Sequence, residues 1–294
     1  MEHWLDDIAK PSVRPNTYRA YKTMVDTHII PELGPLSLGE LTTTHVQQFY
    51  AKLAKKHPRA AQVAHARLSQ ALCLAEDQGK IMRNPCAKAR VPHVAARRIA
   101  PLDTEQARAF LRAASNDRLY VLYLLAVTVG LRQGELFALR WTDIDFENGA
   151  ISIIGTLVED HDGRLVVGEP KTKSSRRKVE VDPFVMAALQ RHRQKSGETD
   201  YVFTDTKGKP LRKSNVIRRS FHPLLTAAKL PRIRFHDLRH SSATIMFALG
   251  VPAKVVQERL GHAKIGMTLD TYSHLVPGMQ RDAANAVGRA LFGD

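Results

Sequence analysis

The chain has 294 residues, 44% of them hydrophobic, with a formal net charge of +15 and an isoelectric point near 10.0. That apolar share excludes a disordered chain, and the length allows about two domains. The charge favours a polyanionic partner, nucleic acid before anionic membrane.

The N-terminus, Met1-Glu-His-Trp-Leu-Asp-Asp, is acidic and amphipathic and has no signal-peptide pattern. Residues 1–85 read as helices. Pro15-Asn-Thr17 opens one through Tyr18, Tyr21, Met24, Val25 and His28, Pro31 to Pro35 reads as a turn, and Thr42 to Thr44 cap a helix over His45 to Leu53. An alanine-rich helix runs from Ala60 to Gln78 and ends at Gly79. Residues 86–101 read as a basic linker holding Arg90, His93, Arg97 and Arg98 without an apolar period. Such a segment suits a phosphate backbone, where it adds affinity without sequence information.

Residues 102–294 read as a second domain. Asp103 and Gln106 form a capping pair for a helix to Ala114. Leu119 to Leu131 is the longest apolar run; it is too short to span a bilayer and is bracketed by Arg118 and Arg132, so a buried helix over Arg118 to Gly130 is expected. The next helix covers Arg132 to Leu139. Strands are expected at Ile144 to Phe146, Ala150 to Val158, Leu165 to Val167 and Arg177 to Val181, with a hairpin turn at His161-Asp-Gly163 and a polar loop at Lys171 to Ser175. Helices follow over Pro183 to Gln194, Lys213 to Ala228, His236 to Leu249 and Ala253 to Leu260, then a short one over Gly266 to Thr271 and a last one over Pro277 to Leu291. The fold class is mainly α with a small antiparallel sheet, an α+β arrangement. Cys73 and Cys86 are the only cysteines and form no metal or disulfide pattern, which fits a reducing cytosol.

The chemistry concentrates between Arg234 and His274. His236, Arg239 and His240 stand at i, i+3 and i+4 and share one helix face. Arginine offers a planar fork to two phosphate oxygens, and histidine passes protons near neutral pH. His236-Asp-Leu-Arg-His240 also mimics the zinc-hydrolase pattern H-E-x-x-H. Asp is shorter than the Glu that must reach a metal-bound water, and Arg239 would set a permanent cation beside the metal; both count against zinc, and the motifs that accompany this one decide the matter.

Five motifs occur in order: Val129-Gly-Leu-Arg132-Gln-Gly-Glu135, Glu169-Pro-Lys171-Thr-Lys173-Ser-Ser-Arg176-Arg177, His236-Asp-Leu-Arg239-His240, Leu260-Gly-His262 and Asp270-Thr-Tyr272-Ser-His274. Together they resemble the tyrosine recombinase family, and its phage-type integrases in particular. The resemblance runs from about Trp4 to the C-terminus. It implies that residues 1–85 are a SAM-like core-binding domain, that 86–101 cross the DNA, and that 102–294 are catalytic with a C-terminal tail helix.

The resemblance also implies the roles. Tyr272 is the nucleophile, Arg132 and Arg239 hold non-bridging phosphate oxygens, His236 helps remove the tyrosyl proton, and His262 hydrogen-bonds the phosphate. Lys171 protonates the departing 5′ oxygen, with Lys173 the alternative two residues on. Arg97, Arg98, Lys173, Arg176 and Arg177 are expected on DNA phosphates. Glu135 either orients Arg132 or forms a surface ion pair. No metal or ATP is implied, because a 3′-phosphotyrosyl bond preserves the phosphodiester energy.

The implied partners are double-stranded DNA with core attachment-type sites, three further copies of the chain on two duplexes, and accessory DNA-bending or directionality proteins, but no membrane. The apolar tail face, Val276, Met279, Ala283, Ala286, Val287, Ala290 and Leu291, either packs on its own domain or docks on a neighbour. Family members often carry a further domain for distant arm sites; this chain opens almost directly at the core-binding helices, which implies a simpler recombinase or a shortened chain. The implied function is integration or excision of a phage or other mobile element. The alternatives are Xer-like resolution of DNA multimers and an inactive DNA-binding module. The implied location is the cytoplasm, on the nucleoid when DNA-bound.

Overall fold

The structure is a computed structural model that describes residues 1–92, 94, 101–160, 163–168, 176–266 and 279–293. The chain divides into two compact units, Met1–Arg98 with Glu159–Arg164, and Ile99–Val158 with Leu165–Asp294.

The first unit is helical. After Trp4–Ala9 and Lys10–Ser12 come α1 (Pro15–Met24), which continues through Val25–Ile29 and Ile30–Leu33, then α2 (Thr43–Lys56) and α3 (Pro58–Asp77). The capping box at Thr42 starts α2 two residues ahead of the expected His45: the Thr42 hydroxyl accepts from the His45 amide at 3.3 Å. The core gathers Leu5, Val25, Ile29, Val46, Tyr50, Ala61, Ala64 and Leu68, all nearly free of solvent.

Pro31 does not begin a turn as expected; the helix runs on to Leu33. The wide π-type turn over Val25–Ile29 explains this, because proline lacks the N–H of an ordinary turn and its ring clashes with the carbonyl four residues back. The same device recurs twice. Trp4–Ala9 leads into Pro11 and Ile217–Phe221 into Pro223.

The second unit opens with α4 (Thr104–Ala113), capped by the expected Asp103–Gln106 box at 2.8 and 3.1 Å. Next comes α5 (Tyr120–Thr128), whose residues from Val121 to Val127 are buried without a break, so every side of its middle faces the core. Asp117 accepts from the Leu119 amide at 2.7 Å and sets its start. Helix α6 (Gln133–Ala138) precedes the strands β1 (Ile144–Asp145), β2 (Ala150–Ile153), β3 (Thr156–Glu159), β4 (Leu165–Gly168) and β5 (Arg177–Glu180). The order β1-β2-β5 makes a three-stranded antiparallel sheet with Ile151 opposite Val179 and Ile153 opposite Arg177, while β3 and β4 form a separate pair. The strand expected over Ala150 to Val158 therefore splits. At the break, a Cβ on Gly155 would lie 2.8 Å from a Val167 methyl, so a side chain there would have to displace Val167 on β4.

Helices α7 (Pro183–Lys195), α8 (Lys213–Val216), α9 (His222–Ala227), α10 (Asp237–Ala248) and α11 (Ala253–Leu260) follow, and α12 (Met279–Phe292) ends the chain. Phe110, Tyr123, Phe221 and Phe235 pack their rings together at the centre of this unit. On α12, Val287, Leu291 and Phe292 are exposed. No helix among the described residues is long and apolar enough to cross a membrane. The short helix expected at Gly266 to Thr271, together with Tyr272, lies largely outside the described residues.

Candidate active site

The site is assembled at the C-terminal end of α11. Gly261 closes that helix in the left-handed region, φ +66°, and the backbone completes a Schellman turn: the Gly261 amide donates to Glu258 at 3.0 Å and the His262 amide to Gln257 at 3.1 Å. The next three carbonyls, of Arg259, Leu260 and Gly261, have no helical partner of their own. Each receives a guanidinium. Arg177 Nε donates to Arg259 O at 2.7 Å, Arg239 Nη2 to Leu260 O at 2.6 Å, and Arg132 Nη2 to Gly261 O at 2.8 Å. A helix C-terminus carries partial negative charge, so it favours cations there.

Arg132 is held from both sides. Gly130, at φ +72°, turns the chain out of α5 and leaves Arg132 extended at the N-cap of α6. Glu135, three residues on, accepts from the Arg132 amide at 2.9 Å and from its Nη1 at 2.7 Å. Gly134 permits the close approach of β3, since a Cβ there would stand 2.4 Å from Thr156 Oγ1. Of the two readings of Glu135, the structure supports orientation over a surface pair: its side chain is 5% exposed. Burial disfavours its charge, but Arg177 first and Arg132 next outweigh this and hold the carboxyl below its ordinary range.

Arg239 is only 2% exposed and spans two elements, with Nη1 on Gly130 O at 2.8 Å. The expected clustering on α10 is present: His236 stands at the N-cap, and its ring meets that of His240 edge-on with centroids 5.0 Å apart. Ser241 ties this helix to the start of α4 by accepting from the Leu102 amide at 2.8 Å. Burial, then His240 and the nearby arginines, push His236 down to about 4. Burial, then Arg239 and Arg132, push His262 down to about 3. Both imidazoles are thus neutral at pH 7 and able to accept a proton or hydrogen bond.

Asp237, the residue a zinc hydrolase would need as base, is occupied by Arg234, whose amide and Nη2 both donate to it at 2.7 Å. Among the described residues no group of three His, Cys, Asp or Glu side chains could hold a metal.

Two expectations divide here. Arg176 is exposed, as a phosphate-binding residue would be. Arg177 is not: its side chain is 7% exposed and its guanidinium also donates to Glu135, Nη2 to Oε2 at 2.9 Å and Nη1 to Oε1 at 3.2 Å. That burial is unlike the exposed side chain that the expected phosphate contact assumed. Its register opposite Ile153 at the start of β5 turns it inward. Lys171, Lys173, Tyr272, Arg97 and Arg98 lie outside the described residues. Sequence reading missed the three backbone acceptors and the role of Arg177; Gly261 before His262 was the one available signal, as a residue type suited to a left-handed helix end.

Residues 101–278 match the sequence profile of the Phage integrase family, and residues 1–54 that of the phage integrase N-terminal SAM-like domain. The chain is 30% identical to a tyrosine recombinase XerC-like protein of Caldanaerobacter subterraneus subsp. tengcongensis, over 98% of this chain and 81% of that one. Among solved structures it resembles the Tn1549 transposon integrase in complex with transposon right-end DNA, with a TM-score of 0.80, 23% identity and 96% of each chain covered. It also resembles a lambda integrase tetramer bound to a Holliday junction, with a TM-score of 0.71, 22% identity, and coverage of 92% of this chain and 75% of that one.

Proposed function

The chain belongs to the phage integrase family, the tyrosine recombinases, and from that membership we propose that it cuts and rejoins DNA at specific sites through a 3′-phosphotyrosyl intermediate. The observation that carries this is the set of Arg132, Arg239 and His262 gathered on one helix end, with His236 one turn from Arg239. Breaking a phosphodiester needs a nucleophile, charge stabilisation on the phosphate and a proton for the leaving oxygen. Tyr272 is the nucleophile. Arg132 and Arg239 supply the fixed positive charge that metal ions supply in other phosphoryl-transfer sites. His262 hydrogen-bonds the phosphate and His236 accepts the phenol proton; burial is the main reason both rings are neutral, and an anion placed among these groups offsets the part due to their cationic neighbours. Lys171, or Lys173 beside it, protonates the 5′ oxygen. The reaction needs neither metal nor ATP, since the phosphotyrosyl bond keeps the energy for rejoining.

DNA phosphates contact Arg97, Arg98, Lys173 and Arg176, and the protein acts in the cytoplasm. Four protomers on two duplexes exchange the strands; the solved lambda assembly and the uncovered apolar residues Val287 and Leu291 on α12 support this reading. Accessory DNA-bending proteins would set direction. The Tn1549 likeness favours a mobile element as the source, and the XerC-like relative favours multimer resolution as the second reading.

Plasmids carrying the junctions that flank the chain's own gene separate the two. Mobile-element integration yields rejoined hybrids of two dissimilar sites without added nucleotide. Multimer resolution acts only between identical sites. Linear products with free ends contradict both.

A further inference from the structure

Arg177 is the buried cation for which the cleavage reaction has no direct use. Four hydrogen bonds from two arginines converge on the Glu135 carboxylate: Oε1 takes Arg132 Nη1 and Arg177 Nη1, and Oε2 takes the Arg132 amide and Arg177 Nη2. Both arginines then reach the end of α11, at Gly261 O and Arg259 O. The result is a closed frame in which Glu135 and the helix end are the two fixed sides. Arg132 keeps an outward face, its side chain 35% exposed, while Arg177 stands behind it at 7%. Gly261 admits that arrangement, because a Cβ on it would lie 2.9 Å from Arg177 Nη1.

Resting on the recombinase reading above, we propose that Arg177 is a positioning residue for strand cleavage, fixing Arg132 through Glu135 and the α11 carbonyls, and that it makes no contact with DNA. The effect that follows from its place is geometric: a carboxylate anchored by a second fork cannot swing with Arg132, and a misplacement near 1 Å costs about a hundredfold in rate.

The test uses full-length protein and a nicked duplex that traps the covalent intermediate. R177Q is expected to bind the core site with unchanged affinity and an unchanged salt slope, while the rate of adduct formation falls between about 10- and 100-fold. R177K keeps a cation beside Glu135 without the fork and falls in between; it also serves if R177Q melts below the assay temperature. In an R132K background, adding R177Q changes the rate by less than about twofold, because the two act through one group. Neutralising Arg97 and Arg98 together is the comparison, and flattens the salt slope by up to about two units.

A slope shallower by about one unit in R177Q puts Arg177 on a phosphate and overturns the proposal. So does an adduct rate equal to wild type, and so does a full additional loss on top of R132K, which would mark a general structural role. A wild-type protein that forms no adduct on the same duplex overturns the recombinase reading instead.

Discussion

Tyr272→Phe is expected to bind its core site with wild-type affinity and to form no covalent DNA complex, a loss of at least about a thousandfold in cleavage. The change removes one oxygen and keeps the ring, so only the nucleophile disappears. An unperturbed phenol has a pKa of about 10, so the reaction also depends on what surrounds it. On the proposed mechanism His236, held neutral by burial and its cationic neighbours, accepts that proton. Gel shift and denaturing electrophoresis on a nicked duplex check both halves. Retained adduct in the Phe variant assigns the nucleophile elsewhere, and loss of binding as well makes Tyr272 a structural residue.

Arg239→Lys is the second large effect, and it combines two losses. Lysine keeps the charge, but one ammonium cannot reproduce the planar fork that reaches Gly130 O and Leu260 O together. Losing a preorganised donor to a developing phosphate charge costs about 10²–10³ in rate. A buried carbonyl left unsatisfied costs about 1–3 kcal/mol, and in a domain of this size each kcal/mol lowers the melting point by about 2–4 °C. The expected result is a lower melting temperature with cleavage down at least about a hundredfold at temperatures where the variant is still folded. Wild-type melting with cleavage abolished would mean that those backbone bonds do not matter for the fold.

Parts of this site are legible in the sequence because their signals are local. Arg132 and Glu135 lie three apart at a helix start, and His236, Arg239 and His240 share one turn, so periodicity alone brings them together. The capping pair at Asp103 and Gln106 and the apolar run that becomes α5 are local in the same sense. The Arg177–Glu135 pair joins β5 to α6 across the fold, and no periodicity links them. Acceptors that are backbone carbonyls, at Arg259, Leu260 and Gly261, leave no side-chain signature. A loop rich in Lys and Arg reads as a solvated phosphate-binding surface throughout, yet the register of β5 turns Arg177 inward while Arg176 stays exposed. Prolines gave the converse error: Pro31 signals a stop by the usual rule, and the preceding wide turn lets the helix pass. Gly155 likewise divides what reads as one continuous strand.

Covalent cleavage through Tyr272 without a metal can be read in one measurement. Wild-type protein is incubated with a nicked core-site duplex in excess chelator without nucleotide, digested with protease, and the DNA-bound peptide is sequenced by mass spectrometry. The expected product is a single peptide containing Tyr272, joined to a 3′ phosphate, at the yield obtained without chelator. A peptide on the 5′ end, attachment through another residue, or cleavage that stops with chelator and returns with zinc or magnesium would contradict it.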